Sequence, residues 1–180
     1  NPGETVVVDG SATTYTGTAG DDTFYLKTGE VLQEYDTLDG GEGNDTLVLN
    51  NQDQAGTIKN IENLVVRNGN GKTYDLSAFS TSFTLEKAGT KVIVDNVTDQ
   101  KLVVSSNTAE STLSVNMAAG QTSVDLTSQN RSGGAQTFDL SGDSLTSVKL
   151  AVDEAQVQRI IQQEYVAHTG SIATQYVVSA

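Results

Sequence analysis

The sequence predicts an all-β protein, with a parallel β-solenoid as the favoured architecture and a β-sandwich as the alternative. Short apolar and β-branched runs such as Thr46-Leu47-Val48-Leu49 and Val92-Ile93-Val94 recur along the chain. Residues that favour turns, chiefly Gly, Asn, Asp, Ser and Thr, separate these runs. Apolar residues make up 36% and aromatic residues 6% of the chain. This lean composition is typical of many short strands around a thin core.

The spacing of the runs favours the solenoid. Between residues 65 and 149 their centres lie about 9–14 residues apart, so two runs per coil give roughly 20 residues per turn. An antiparallel sandwich fits the same spacing. Three tripeptides, each followed by Ser or Thr, resemble copies of one rung: Tyr74-Asp75-Leu76, Val124-Asp125-Leu126 and Phe138-Asp139-Leu140.

The C-terminal part breaks this pattern. Apolar residues fall at helical spacing inside a Gln- and Glu-rich stretch, which predicts a helix over residues 152–167 that begins near Asp153 and ends before Gly170. We expect this helix to cap the core, with a terminal strand over residues 172–178. The whole chain, 1–180, is then a single domain in which residues 67–150 form β-rungs. The helical positions are Val157, Ile160, Ile161 and Tyr165.

The charge is strongly negative and uneven. Ten basic and twenty-three acidic residues give a net charge of −13, and residues 1–60 hold eleven of the acids against Lys27 and Lys59. Such a surface repels nucleic acids and anionic membranes and attracts multivalent cations. The chain contains no cysteine, which excludes disulfides and thiolate metal sites.

The sequence shows no membrane span and no signal peptide. No stretch approaches the roughly 20 apolar residues of a transmembrane helix, and residues 1–3 do not begin a signal sequence. We expect export by a signal that is removed, lies elsewhere in a longer chain, or is uncleaved at the C-terminus.

The most informative segment is Gly40-Gly41-Glu42-Gly43-Asn44-Asp45-Thr46-Leu47-Val48, which matches the nonapeptide G-G-x-G-x-D-x-U-x. Its glycines permit positive φ and let carbonyls turn inward, and Asp45 adds a carboxylate. A second copy, residues 17–25, keeps two glycines, Asp22 and Phe24. Asp36-Thr37-Leu38 matches the end of a third copy. Ligands that are all oxygen suit Ca²⁺.

These phrases, together with Ile61-Glu62-Asn63-Leu64, resemble the repeats-in-toxin (RTX) calcium-binding family, and most closely bacterial S-layer proteins and adhesins with sparse repeats. The resemblance covers residues 15–66. It implies a parallel β-roll in which neighbouring turns share calcium through backbone carbonyls and aspartates. It further implies ligation by Asp22, Asp36 and Asp45, carbonyls near Gly17, Ala19, Gly40 and Glu42, and auxiliary oxygens from Asp21, Asp39 and Asn44.

One feature of the spacing departs from a regular β-roll. Gly17 and Gly40 are 23 residues apart, whereas two nonapeptides span 18. This difference favours one or a few calcium sites on a less regular solenoid. The alternative interpretation is that both segments are glycine-rich hairpin turns with solvated aspartates.

The sequence does not indicate an enzyme. His168 is the single histidine, and no G-x-S-x-G elbow provides a nucleophile. The Gly71-Lys72-Thr73 segment lacks the glycine that a phosphate-binding loop needs five positions earlier. We therefore expect neither catalytic residues nor an organic cofactor.

These features predict a calcium-stabilised structural module that is secreted or lies on the bacterial cell surface and binds copies of itself in a lattice or filament. Terminal strands Thr5–Val8 and Tyr176–Val178 could pair between subunits by β-strand addition. Two alternatives are the non-catalytic part of a type I-secreted enzyme and an adhesin domain that binds carbohydrate. A cell-surface polysaccharide is a further candidate partner, although the chain has no tryptophan to stack on sugars.

Overall fold

The chain folds as an all-β parallel solenoid of about seven coils. This computed structural model describes residues 2–105, 110–129 and 135–152 with their side chains, and the backbone of residues 157–166 and 171–179. Strands of successive coils pair in parallel from the first coil to the last. The solenoid prediction is therefore confirmed, and the antiparallel sandwich is excluded.

One face of the solenoid is an eight-stranded parallel sheet made of the first eight odd-numbered strands. Neighbours in this sheet are consecutive coils, because each strand pairs with the strand two positions later in the chain. The strands are β1 (Thr5–Val8), β3 (Thr23–Leu26), β5 (Thr46–Asn50), β7 (Asn63–Asn68), β9 (Ser82–Leu85), β11 (Lys101–Ser105), β13 (Ser123–Gln129) and β15 (Ser147–Val152).

The even-numbered strands form two further sheets. Three short strands make the first of these sheets: β2 (Thr14–Thr16), β4 (Thr37–Asp39) and β6 (Thr57–Lys59). The second contains β8 (Thr73–Asp75), β10 (Lys91–Val97), β12 (Ser111–Met117) and β14 (Gln136–Gly142), extended by β17 (Ser171–Ser179) and β16 (Val157–Val166). A 3₁₀ turn, Leu76–Ala78, follows β8 and is capped by the Asp75 carboxylate, which accepts from Ser77 N.

The core is a column of apolar side chains stacked along the solenoid axis. Alternation places every second side chain of a strand inside, and parallel pairing puts equivalent residues of successive coils above one another. On the eight-stranded face the stacked and fully buried residues are Phe24, Leu47, Leu64, Phe83, Leu102 and Leu126.

Coil length varies with the turns. Paired residues of the eight-stranded sheet are 17 apart between β5 and β7 and 24 apart between β13 and β15. The coil that separates the two glycine motifs spans 23 residues, since Thr23 pairs with Thr46. Its extra length lies in the turn 27–36, and the buried Leu32 packs this turn against the core. The 23-residue spacing is therefore one full coil.

The helix predicted over residues 152–167 is wrong. Residues 157–166 form β16, which pairs with β17 in an antiparallel hairpin, and β17 in turn pairs antiparallel with β14. The terminal strand predicted at residues 172–178 is confirmed as β17. Among the described residues the 3₁₀ turn is the only helical element. The described residues therefore contain no helix that is long and apolar enough to cross a membrane. Asp153, His168 and Gly170 lie outside the described residues.

Candidate metal centre

The two glycine-rich turns lie one above the other on the same edge of the solenoid. Residues 17–22 join β2 to β3, and residues 40–45 join β4 to β5 one coil later. The backbones approach so closely that a Cβ added at Gly17 would meet the Gly40 carbonyl, and one added at Gly43 would clash with the Gly20 carbonyl. Gly43 also has a φ of 111°, a conformation that favours glycine. The repeated glycines thus bring two acidic turns into contact.

Carboxylates in these turns form a hydrogen-bonded stack along the edge. The Asp22 Oδ1 atom accepts from Glu4 N at 2.7 Å, and Asp45 Oδ1 accepts from Asp22 N at 2.6 Å. One coil further, Glu62 Oε2 accepts from Asp45 N at 2.7 Å. Each of these three carboxylates therefore accepts a hydrogen bond from the backbone N–H of the acid in the preceding coil, and Glu4 contributes only its N–H. We call Glu4, Asp22, Asp45 and Glu62 the acidic stack.

Asp45 lies in the least favourable position of the acidic stack. The residue is 0% exposed, and its Oδ2 atom is buried and has no hydrogen-bond partner among the residues that the structure describes. Burial is the main cause that raises the pKa of the Asp45 carboxyl, and the charges of Asp22, Glu62 and Asp21 raise it further. The hydrogen bond from Asp22 N offsets only part of this effect. Asp45 is a buried charge that lacks a counterion among the described residues.

Asp22 is about as buried as Asp45, but both of its carboxylate oxygens accept hydrogen bonds. Its Oδ1 atom also accepts from Thr18 Oγ1 at 2.8 Å, and its Oδ2 atom accepts from Thr18 N at 2.6 Å. Burial alone would raise the pKa of Asp22, but the hydrogen bonds from Glu4 and Thr18 hold it below its usual value. Neighbouring acids in the stack are therefore shifted in opposite directions.

The oxygen atoms of the stacked turns are of the type that binds a hard cation, but the described side chains do not surround a metal position. Carboxylate and backbone carbonyl oxygens are the ligands that Ca²⁺ prefers, and Asp45 Oδ2 is free to bind one. Among the described residues, no group of three or more His, Cys, Asp or Glu side chains is arranged to hold a metal ion. A calcium ion here would therefore depend largely on the carbonyls of the turns.

Other residues predicted as auxiliary ligands join the turns. Asp21 Oδ1 accepts from Asn44 N at 2.9 Å, and the Asn44 side chain accepts from Asn63 Nδ2 at 2.9 Å. Asp39 accepts from Asn60 Nδ2 and Gly41 N. The hydrogen bond from Asn60 is the main cause that lowers the pKa of Asp39, and the Lys59 ammonium, 3.6 Å away, contributes.

Asp36 is not brought to this site. It ends the turn that joins β3 to β4, at the opposite edge of the solenoid, and its Oδ2 atom accepts from Gln33 N at 2.7 Å. Ala19 and Glu42 are exposed at the outside of the stacked turns. The structure thus gathers Asp22 and Asp45, with Asp21, Asp39 and Asn44 around them, and separates Asp36 from them.

Two members of the acidic stack, Glu4 and Glu62, are not among the residues predicted from the sequence. Both follow a pattern shared with the two aspartates, an acid followed by Thr or Asn and then an apolar residue. The copies are Glu4-Thr5-Val6, Asp22-Thr23-Phe24, Asp45-Thr46-Leu47 and Glu62-Asn63-Leu64. This three-residue signal includes every member of the stack, although Asp36-Thr37-Leu38 at the opposite edge and Asp95-Asn96-Val97 in β10 share it.

In comparisons with protein-family models, curated proteins and solved structures, nothing matches this chain. The resemblance to the RTX family therefore rests on the motifs themselves.

Proposed function

We propose that this chain is a non-enzymatic structural module of a secreted or surface-exposed bacterial assembly, and that Ca²⁺ binds its two stacked acidic turns. One observation carries the proposal: Asp45 is fully buried among other acids, with a carboxylate oxygen that has no hydrogen-bond partner in the described part of the chain. An unpaired buried charge is costly, and proteins compensate for it with a counterion or a metal.

Calcium would supply the missing positive charge. Within this proposal Asp45 Oδ2 is a direct ligand, carbonyls of the turns 17–22 and 40–45 provide further oxygens, and Asp22 positions the turn through its bonds to Thr18. The excess of acids over the first 60 residues concentrates cations at the same place. Low calcium inside the cell would leave the turns mutually repelling, and millimolar calcium outside would stabilise the fold.

Assembly is supported by β1, which among the described residues pairs with β3 on one side and with no strand on the other. Carbonyls of Glu4 and Val8 accept from Thr23 N and Lys27 N, so the backbone groups of Thr5 and Val7 point away from β3. Val7 is 49% exposed. An exposed, apolar edge strand readily pairs with another chain. We therefore assign β1 as a contact between copies of this protein.

Thermal unfolding with and without calcium tests the metal proposal. Wild-type protein in millimolar calcium should melt about 5–10 °C above its value in chelator, since saturation by a ligand stabilises the fold by a few kcal/mol. The double variant Asp22→Asn, Asp45→Asn should lose this difference, because it lacks both buried carboxylates.

The matched control is the double variant Asp125→Asn, Asp139→Asn, which removes the same number of charges from strands β13 and β14. It should keep the full calcium response. If the wild type and the Asp22→Asn, Asp45→Asn variant melt alike in both conditions, the calcium assignment is wrong.

A further inference from the structure

A small cleft opens at the edge opposite the acidic stack, between the turns 9–13 and 27–36. It encloses about 220 Å³. Two of the exposed large apolar side chains, Val31 and Tyr35, belong to the ten-residue turn 27–36. Loops held by a rigid scaffold are common positions for binding sites. The side chains that line the cleft and enter the argument are Tyr15, Glu30, Gln33, Tyr35 and Asp36.

Internal hydrogen bonds fix the walls of this cleft. The Tyr15 hydroxyl accepts from Gly10 N at 3.0 Å and from Ala12 N at 3.1 Å. Asp36 Oδ2 closes the turn from the other side by accepting from Gln33 N. A backbone bond of 2.8 Å from Thr37 N to Thr13 O ties the two turns together. The cleft is therefore pre-formed, which lowers the entropy cost of binding.

Three side chains in the cleft have polar groups that no described residue uses. The Glu30 carboxylate lies against Gly10, where an added Cβ would be 2.8 Å from Oε1. Within the described part of the chain, neither this carboxylate, the Gln33 side-chain amide nor the Tyr35 hydroxyl has a hydrogen-bond partner. The Tyr35 side chain remains 69% exposed although it lines the cleft.

We propose that this cleft binds a neutral saccharide unit, with the ring stacked on Tyr35 and its hydroxyls bonded to Glu30 and Gln33. A tyrosine ring offers an apolar face with a polar tip, and an amide beside a carboxylate supplies both donors and acceptors, as sugar hydroxyls require. The volume fits one ring of a longer glycan. Surrounding acids disfavour anionic sugars, and Asp36 is already occupied internally, which leaves a single free carboxylate for a cation.

Glycan-array screening of the full chain in millimolar calcium, followed by titration calorimetry with the strongest neutral glycan, tests the proposal. Tyr35→Ala should weaken binding about tenfold, which corresponds to about 1.4 kcal/mol, because the variant loses the apolar face of the ring. Tyr35→Phe should retain most of the affinity, since it keeps the ring. Gln33→Ala should also weaken binding.

The control is Val31→Ala, which changes an exposed residue of the same turn that does not line the cleft; its affinity should equal that of the wild type. Circular dichroism confirms that each variant is folded. Three results would overturn the proposal: no neutral glycan binds the wild type, Tyr35→Ala binds as tightly as the wild type, or oligolysine binds in a Tyr35-dependent manner in place of glycans. The cleft lies away from the acidic stack, so this outcome is independent of calcium binding.

Discussion

At the scale of single residues, the buried carboxylate of Asp45 makes the stability of the fold depend on pH. Its pKa is raised in the folded state, so the protonated form is favoured there. The resulting stability is present below the unfolded pKa and is lost as pH rises through the folded pKa. In the absence of metal, Asp45 therefore destabilises the fold more as pH rises and its carboxyl ionises.

The upward shift of the Asp45 pKa predicts that Asp45→Asn has opposite effects on stability without and with calcium. In metal-free buffer at pH 7, Asp45→Asn should melt at or above the wild type, because it removes the buried charge and keeps an acceptor for Asp22 N. As pH falls and the wild-type carboxyl becomes protonated, the difference should shrink. In millimolar calcium at pH 7 the variant should melt below the wild type. A variant that is less stable than the wild type in all three conditions would contradict this interpretation.

The glycine at position 43 should tolerate substitution poorly. Gly43→Ala places a methyl group against the Gly20 carbonyl and strains a positive φ, so we expect a loss of at least about 2 kcal/mol in the free energy of unfolding. Gly29 also has a positive φ, of 84°, but has open space around it. Gly29→Ala should therefore cost about 1 kcal/mol. Equal losses in urea unfolding would argue against close stacking of the turns.

The residue types of the nonapeptide were sufficient to predict the two turns, because the positions of glycine and aspartate are set by local backbone chemistry. They were not sufficient to separate Asp36 from Asp45. Both precede a Thr-Leu pair, and only the pairing of β4 with β2, and of β5 with β3, places them on opposite edges. Register between distant strands is not encoded in a local motif.

At the scale of elements, the hairpin of β16 and β17 explains why a helix was predicted. Its register shifts between Ile160 and Gln162, and such an irregularity inserts a residue that breaks the alternation of a strand. The apolar residues then fall at spacings that also match a helix. Pairing with β17, which is close in sequence, supplies the backbone hydrogen bonds and overrides the local pattern.

The edge strand β1 should control assembly. Electron microscopy of the wild type in millimolar calcium should show lattices or filaments that disappear in chelator. Val7→Lys should prevent them while the monomer stays folded, because a charge on an edge strand blocks pairing. Thr84→Lys provides the control, since it changes the equivalent position of the inner strand β9, whose backbone is already paired on both sides. Assemblies that persist in Val7→Lys would exclude β1 as the contact.

At the scale of the whole molecule, the solenoid could be predicted because every coil repeats the same sequence pattern: two short half-buried strands, each followed by a turn. The coil lengths could not. The coil lengths depend on long turns such as residues 27–36. This turn packs on the core through the buried Leu32, and no local sequence pattern predicts that burial. The concentration of acids in the first 60 residues makes the N-terminal coils of the solenoid strongly negative.

Direct measurement of calcium binding is the most decisive test. Titration calorimetry of metal-free wild type should give saturable binding at or below millimolar calcium, and Asp45→Asn should weaken it at least tenfold while Asp125→Asn leaves it unchanged. Absence of binding by the wild type, or identical isotherms for the wild type and Asp45→Asn, would show that the acidic stack is held by the protein's own hydrogen bonds alone.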